Sequence, residues 1–200
     1  MEHVASANDL PDTLSRSDSA SLEFRVLFER ECSYVVASLR RLGVQERDLE
    51  DVAHEVFVAI HRRLGEYDPA RPLRPWIFAF AYRFASDYRK LARHRRERIE
   101  DTVGDEVDEA EGPEARIDAA RARALVIQAL DALDLDKRAV MVMHEIDGVP
   151  IPEVATALGI PLNTAYSRLR LAREQFAQAA RRLQARGQSD AQARRLRGGR

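Results

Sequence analysis

The sequence has one cysteine, Cys32, which leaves no partner for an internal disulfide. It has no run of about eighteen apolar residues, the length a membrane-spanning helix needs. Its N-terminus lacks the basic-then-apolar order of a secretory signal. Together these absences lead to the expectation of a cytoplasmic protein with no direct membrane contact. A glycine-rich phosphate loop is missing, as is any cysteine–histidine cluster. His54-Glu55 and His144-Glu145 lack a second histidine at the metalloprotease spacing. The acidic runs lack the glycine turn of a calcium loop. No metal, no cofactor and no catalytic residue is therefore expected, and the chain is not expected to be an enzyme. An excess of positive charge is also missing: 32 Lys and Arg against 33 Asp and Glu leave a net charge of −1. That excludes a uniformly basic nucleic-acid binder but not segregated charge. Finally, no strand-type alternation stands out. Apolar periodicity is helical nearly throughout, so the expected fold is all-α, with two small helical domains joined by an acidic flexible linker.

What is present is organised around Pro150–Arg173. A short helix, Ile151 to Leu158, would carry Pro152 in its opening turn, where a missing N–H costs nothing. Gly159 would stop it in the left-handed conformation, and Pro161 would open a second helix. On that helix Leu162, Ala165, Leu169, Ala172 and Phe176 form an apolar stripe. The opposite face carries Asn163, Thr164, Ser167 and Glu174, with Arg168 and Arg170 on the flanks. Small hydrogen-bonding residues between arginines suit a helix in a DNA major groove. A helical hairpin with a merely solvated outer face fits the same pattern.

Residues 1–20 are polar and read as a disordered leader. A helix over Leu22–Leu42 follows, with Val26, Leu27, Tyr34, Val35 and Leu39 apolar and Cys32 partly buried. The next, Glu46–Leu64, has a regular core stripe of Leu49, Val52, Ala53, Val56, Phe57, Ile60 and Leu64. Its outward face carries Asp51, His54, Glu55, Val58 and Arg62, a mixture that could dock on a partner or simply be solvated. Gly65–Pro75 holds three prolines and reads as a stiff exposed loop.

The helix Pro75–Arg98 is aromatic first (Trp76, Phe78, Phe80, Tyr82, Phe84) and basic afterwards (Arg83, Arg89, Lys90, Arg93, Arg95, Arg96, Arg98). Aromatics beside cations suit single-stranded nucleic acid, although Trp76, Phe80 and Phe84, spaced by four, read as core. Residues 99–116 reverse the sign and form the acidic linker, either a spacer or a segment that folds back on the basic helix. The second domain, 117–186, has a helix to Leu133 with Leu125, Ala129 and Leu133 on one face. A further helix runs from Asp136 to Ile146, with Ala139, Val140, Met143 and Ile146 inward. Residues 187–200 read as a disordered basic tail.

This arrangement resembles the extracytoplasmic-function (ECF) branch of the sigma-70 family of RNA polymerase sigma factors. DLEDVAHEVFVAIHRRL (Asp48–Leu64) is similar to the family's core-polymerase-binding helix. PWIFAFAYRFASDYRK (Pro75–Lys90) is similar to its promoter-melting, minus-ten-reading helix. Leu130–Glu174 is similar to its minus-thirty-five-reading domain.

The resemblance implies two DNA-reading domains, 21–98 and 117–186, and no chemistry of their own. It places Asp51, His54, Glu55 and Val58 on the clamp helices of the polymerase's largest subunit, and the second domain on the beta flap. It assigns the loop Gly65–Arg74, with Tyr67, Arg71 and Arg74, to a flipped minus-ten base. Arg83, Asp87, Arg89, Lys90 and Arg93 would line the melted strand or adjoining duplex. Asn163, Thr164, Tyr166, Ser167 and Arg170 would read or frame minus-thirty-five bases, with Arg168 and Arg173 on phosphates. Partners implied are core polymerase, promoter DNA and an anti-sigma factor. His54, Arg83 and Tyr166 stand where the family commonly has glutamine, asparagine and a basic residue. A stand-alone helix-turn-helix regulator is the rival expectation; it would leave Asp48–Leu64 and the aromatic-basic helix without a task.

Overall fold

In the computed structural model, which describes the backbone of residues 12–98 and 114–198 and the side chains of 23–92 and 120–188, seven α-helices follow one another. No strand occurs among the described residues. The first group comprises α1 (Asp12–Leu42), α2 (Leu49–Arg63) and α3 (Leu73–Arg98), which pack mutually. The second comprises α4 (Glu114–Asp131), α5 (Leu135–Met141), α6 (Ile151–Leu158) and α7 (Leu162–Gly198), all gathered on α7 or its neighbours.

Period dictates the first core. Leu49, Val52, Ala53, Val56, Phe57 and Ile60 of α2 are all buried, as their three- and four-residue spacing requires. They meet Val35, Leu39 and Leu42 of α1 and Ile77, Phe78, Ala81 and Ala85 of α3. The aromatic half of α3 divides. Phe78 and Phe80 are buried, while Trp76 and Phe84 pack partly exposed at the rim. Phe78 is therefore core and closed to base stacking.

In the second group Ala129, Leu130 and Leu133 close over Ala139, Val140, Met143, Val154, Ala155, Ala165, Leu169 and Ala172. Asp134 caps α5: its carboxylate accepts the Lys137 backbone N–H at 3.0 Å and the Lys137 ammonium at 2.5 Å. Burial pushes the Asp134 carboxyl up, but these donors outweigh it and hold its pKa below the ordinary value. Asp134→Ala should destabilise the chain by about 1 kcal/mol, read as a shifted denaturation midpoint. An unchanged midpoint would remove the cap from the account.

Several expectations are corrected. Residues 12–20, expected as part of a disordered leader, form the first turns of α1, while residues 1–11 lie outside the described residues. The expected disordered tail continues as α7 to Gly198. Both extensions grow from packed helices and contain no proline after Asp12 or Leu162. Propagation from an existing helix adds a hydrogen bond per residue without a new nucleus. The second group starts at Glu114, three residues before the expected 117. Most of the expected acidic linker, residues 99–113, lies outside the described residues.

Val26, Leu125 and Leu162, read as apolar positions of their helices, are exposed, and so is Ile146, expected inward, at 40%. For Ile146 the cause is local. Val142–Ile146 forms a π-type turn in which the Asp147 N–H reaches the Val142 carbonyl at 3.0 Å. The extra residue in that turn rotates the helix register, so Met141, Val142 and Met143 are buried consecutively and Ile146 swings outward.

The two groups are not beads on a string. α3 lies against α6, and α1 against α4 and α5, so one hydrophobic core runs across the junction.

Candidate nucleic-acid interface

The helix-turn-helix forms as its punctuation requires. Pro150 precedes α6, and Gly159 ends it at φ 64°, ψ 36°, the left-handed conformation glycine adopts without penalty. The Ile160 N–H then reaches the Ala155 carbonyl at 3.0 Å, and the Ala165 N–H reaches Pro161 at 3.1 Å. The α7 stripe Ala165, Leu169 and Ala172 is buried and Phe176 packs at its edge. This turns Asn163, Tyr166, Ser167, Arg170 and Arg173 to the exposed side, with Thr164 and Arg168 half-buried.

Among the described residues of α7, Arg168, Arg170 and Arg173 have carboxylate partners. Arg170 pairs with Glu174 at 2.8 Å along the helix. Arg173 reaches across to Glu145 at 2.6 Å. Arg168 pairs with Asp136 at 2.5 Å. All three project from one helix, and each must exchange or share its carboxylate to hold a phosphate. Ser167 donates to the Thr164 carbonyl at 3.0 Å, leaving its oxygen able to accept.

On α3 and the preceding loop the geometry is equally defined. The Asp68 carboxylate accepts the Ala70 N–H at 3.0 Å, and the Arg71 N–H reaches the Asp68 carbonyl at 3.0 Å. The Tyr67 hydroxyl donates to the Arg71 carbonyl at 2.6 Å. Its ring lies 5.1 Å from Trp76, which packs edge-on against Phe80 at 4.9 Å. The loop is thus a braced platform with an aromatic step at its base, stiffened by Pro69 and Pro72; Pro75, expected to end the loop and open the helix, instead lies buried in the first turn of α3, which starts at Leu73. Arg71 is exposed beside Asp68 at 3.5 Å. Arg74 pairs with Glu31 at 3.1 Å and its guanidinium lies 4.9 Å from the Tyr34 ring centre. Further along, Arg83, Asp87 and Lys90 are exposed, with Lys90 on Asp87 at 3.2 Å. Arg89 instead turns inward and donates to the Leu42 carbonyl at 3.3 Å. The side chain of Arg93 lies outside the described residues.

The outward face of α2 presents Asp51, His54 and Glu55 exposed, with Val58 half-exposed beside them. None of them contributes to the α2 core stripe.

Residues at the junction escape sequence reasoning. Asp136 joins both groups: it accepts from the Tyr82 hydroxyl of α3 at 2.6 Å while holding Arg168 of α7. Burial, with the Asp136 hydrogen bond and charge, raises the Tyr82 pKa to about 12. Asp147, with only 6% of its side chain exposed, accepts from the Tyr34 hydroxyl at 2.8 Å and from Arg41 at 3.4 Å. Burial pushes its pKa up despite the Tyr34 bond and the Arg41 and Arg74 charges. Nothing in local periodicity marks these pairs, because Tyr34 and Asp147 are 113 residues apart.

Among the described residues no three histidine, cysteine or acidic side chains cluster as metal ligands, and no helix is long and apolar enough to cross a membrane.

Comparison with known proteins meets this geometry on both groups. Residues 27–97 match the family model for sigma-70 region 2, and residues 123–176 the model for sigma-70, region 4. The RNA polymerase sigma factor CnrH of Cupriavidus metallidurans is 31% identical over 157 residues, 75% of this chain and 82% of that protein. The ECF RNA polymerase sigma-E factor of Escherichia coli K12 is 28% identical over 148 residues, 70% of this chain and 77% of that protein. The structure of CnrH in complex with the cytosolic domain of CnrY is similar with a TM-score of 0.55 and 28% identity, covering 83% of this chain and 94% of that one. The sigma factor RpoE from Bartonella quintana, solved with the anti-sigma factor NepR, shares the fold with a TM-score of 0.56 at 18% identity, over 77% of this chain and 96% of that one. The chain belongs to the sigma-70 family of RNA polymerase sigma factors, in its extracytoplasmic-function branch.

Proposed function

We propose that this sigma factor binds core polymerase through the outward face of α2 and reads promoters with two separate surfaces, without catalysis of its own. Asp51, His54, Glu55 and Val58 would meet the clamp helices of the largest subunit, and the second group would meet the beta flap. The loop with Tyr67 and Arg71, together with Arg74 in the first turn of α3, would receive a flipped minus-ten base, and Arg83, Asp87, Lys90 and Arg93 would follow the strand. Arg89 is spent on the Leu42 carbonyl and becomes available only if that hydrogen bond breaks. On α7, Asn163, Thr164, Tyr166, Ser167 and Arg170 would face minus-thirty-five bases, with Arg168 and Arg173 on phosphates. The protein would act in the cytoplasm, where core polymerase is.

The observation that carries this reading is the exposed polar face of α7, opposite the buried stripe Ala165, Leu169 and Ala172. Polar residues reach base edges there while arginines reach the backbone. Each surface is small, so each alone should bind weakly. Polymerase supplies the effective concentration that makes the second contact nearly free once the first exists.

An anti-sigma factor is a further expected partner, because the similar sigma factors CnrH and RpoE are solved with CnrY and with the anti-sigma factor NepR. Run-off transcription with purified core polymerase tests the proposal. Promoter-specific transcripts without another initiation factor are expected. Their absence, with specific duplex binding retained, would favour a stand-alone regulator.

A further inference from the structure

We infer that Glu31 anchors a two-armed clamp for the DNA backbone: one buried carboxylate holds Arg30 and Arg74 side by side, and their outer guanidinium edges grip a phosphate of the melted strand next to the flipped base. The inference deepens the minus-ten reading proposed above and rests on it.

Glu31 is the group that calls for an explanation. It lies on α1, and only 5% of its side chain is exposed. Leu27, Tyr34 and Val35, three or four residues away on the same helix, are buried with it. A carboxylate taken out of water is costly unless charged donors compensate it. Glu31 has two such donors and divides itself between them. Its Oε1 accepts from Arg30 Nε at 2.9 Å, and its Oε2 accepts from Arg74 Nε at 3.1 Å. Packing alone does not ask for this arrangement, because an apolar side chain of similar volume would fill the position at least as well. What the carboxylate achieves is to bring two exposed arginines together, one from α1 and one from the first turn of α3.

Both arms are fixed at the stem and open at the tip. Each spends Nε on Glu31, and among the described residues neither donates another hydrogen bond. The Nη1–Nη2 edge of each guanidinium therefore remains for a ligand. Arg74 is fixed a second time, with its guanidinium 4.9 Å from the centre of the buried Tyr34 ring.

Phosphate is the ligand this chemistry selects. Guanidinium forks bind it bidentately. Two arginines on one carboxylate also leave a surplus positive charge, which one phosphate meets. Position agrees. Arg74 directly follows the loop whose Tyr67 ring lies 5.1 Å from Trp76. Its share in receiving the flipped base is to hold the phosphate beside that base. Arg30 joins it only because α1 and α3 meet in the fold.

The sign of one substitution separates anchoring from competition. If Glu31 merely competed with phosphate, Glu31→Gln would strengthen DNA binding by removing a negative charge. As an anchor, its loss frees two long side chains that binding must order again, and affinity falls about tenfold.

The test titrates holoenzyme, assembled from the full-length chain and core polymerase, with a fork DNA whose minus-ten segment is single-stranded, over a range of salt. Removing either arm cancels the surplus charge. Arg30→Ala and Arg74→Ala, each alone, should therefore lower the slope of log affinity against log salt by about 0.7. Glu31→Gln should weaken binding about tenfold, yet cause no further loss in a chain that already carries Arg30→Ala/Arg74→Ala. Binding of a minus-thirty-five duplex should stay at the parent value throughout. Circular dichroism establishes that each variant folds, and Arg30→Ala, at an exposed position, serves if the buried substitution does not. Stronger binding by folded Glu31→Gln, an unchanged slope for Arg30→Ala, the same loss from Glu31→Gln in both backgrounds, or a matching loss on the minus-thirty-five duplex would overturn the clamp. All four leave the functional reading standing, since the parent holoenzyme still binds the fork. A parent holoenzyme that does not distinguish the promoter fork from a scrambled one would sink that reading and the clamp with it.

Discussion

A chain carrying Glu55→Arg and Val58→Asp should bind core polymerase at least thirtyfold more weakly and yield almost no promoter-specific transcript. The two positions lie one turn apart on the outward face of α2, with Asp51 and His54 beside them. Helical spacing puts all four on one surface. Val58 is the apolar centre of that surface and Glu55 its acidic flank. A buried centre with charged surroundings is the usual anatomy of an interface, and losing such a centre typically costs about 2 kcal/mol or more. The fold should survive, because neither side chain belongs to the buried stripe. Surface changes of this kind usually stay within about 0.5 kcal/mol of the parent stability. Titration of labelled chain with core polymerase separates the possibilities. Unchanged affinity in a folded variant would remove this face from the polymerase contact.

The second large effect is expected on α7. Arg168→Ala/Arg173→Ala should weaken binding to a minus-thirty-five duplex across all sequences. It should also lower the slope of log affinity against log salt by about 2, since each phosphate that is no longer neutralised takes away about 0.9. Both arginines are paired with carboxylates, Arg168 with Asp136 and Arg173 with Glu145. Such pairing holds the guanidinium in position but must be shared or broken when phosphate arrives. The Arg173 side chain is 56% exposed against 26% for Arg168, so its pair is the cheaper to rearrange. The Arg173 substitution should therefore carry more of the slope than the Arg168 substitution. Arg170→Ala should behave differently, changing which bases are preferred by about 1–3 kcal/mol while moving the slope little. If the double substitution leaves the slope intact, these arginines do not touch phosphates.

Legibility follows the range of the interactions. The turn between α6 and α7 is readable because Gly159 accepts the left-handed conformation other residues avoid and Pro161 fixes its own φ. The α2 stripe is readable because its spacing runs unbroken from Leu49 to Ile60. Ile146 defeats the pattern because a π-type turn changes the register, and no residue in VMHEI announces it. The helix ends near residues 12 and 198 defeat it because polar sequence does not by itself end a helix; extension from a packed helix needs only tolerable propensity. Phe78 is ambiguous between core and stacking surface, because an all-aromatic face looks alike in both roles. The junction is invisible. Arg138 lies in a sequence that reads as one charge before an apolar run, yet packing of the two groups buries it entirely. Tyr82–Asp136 and Tyr34–Asp147 are pairs between distant segments, and periodicity carries no information about them.

The most direct measurement of the central claim is a footprint of one promoter fragment under identical salt, with the chain alone and with the chain plus core polymerase. Two small readers that only a large scaffold holds at promoter spacing should leave the fragment unprotected by the chain alone. They should protect both elements, with opening at minus ten, once polymerase is added. Strong, sequence-specific protection of both elements by the chain alone, unchanged by polymerase, would contradict the account.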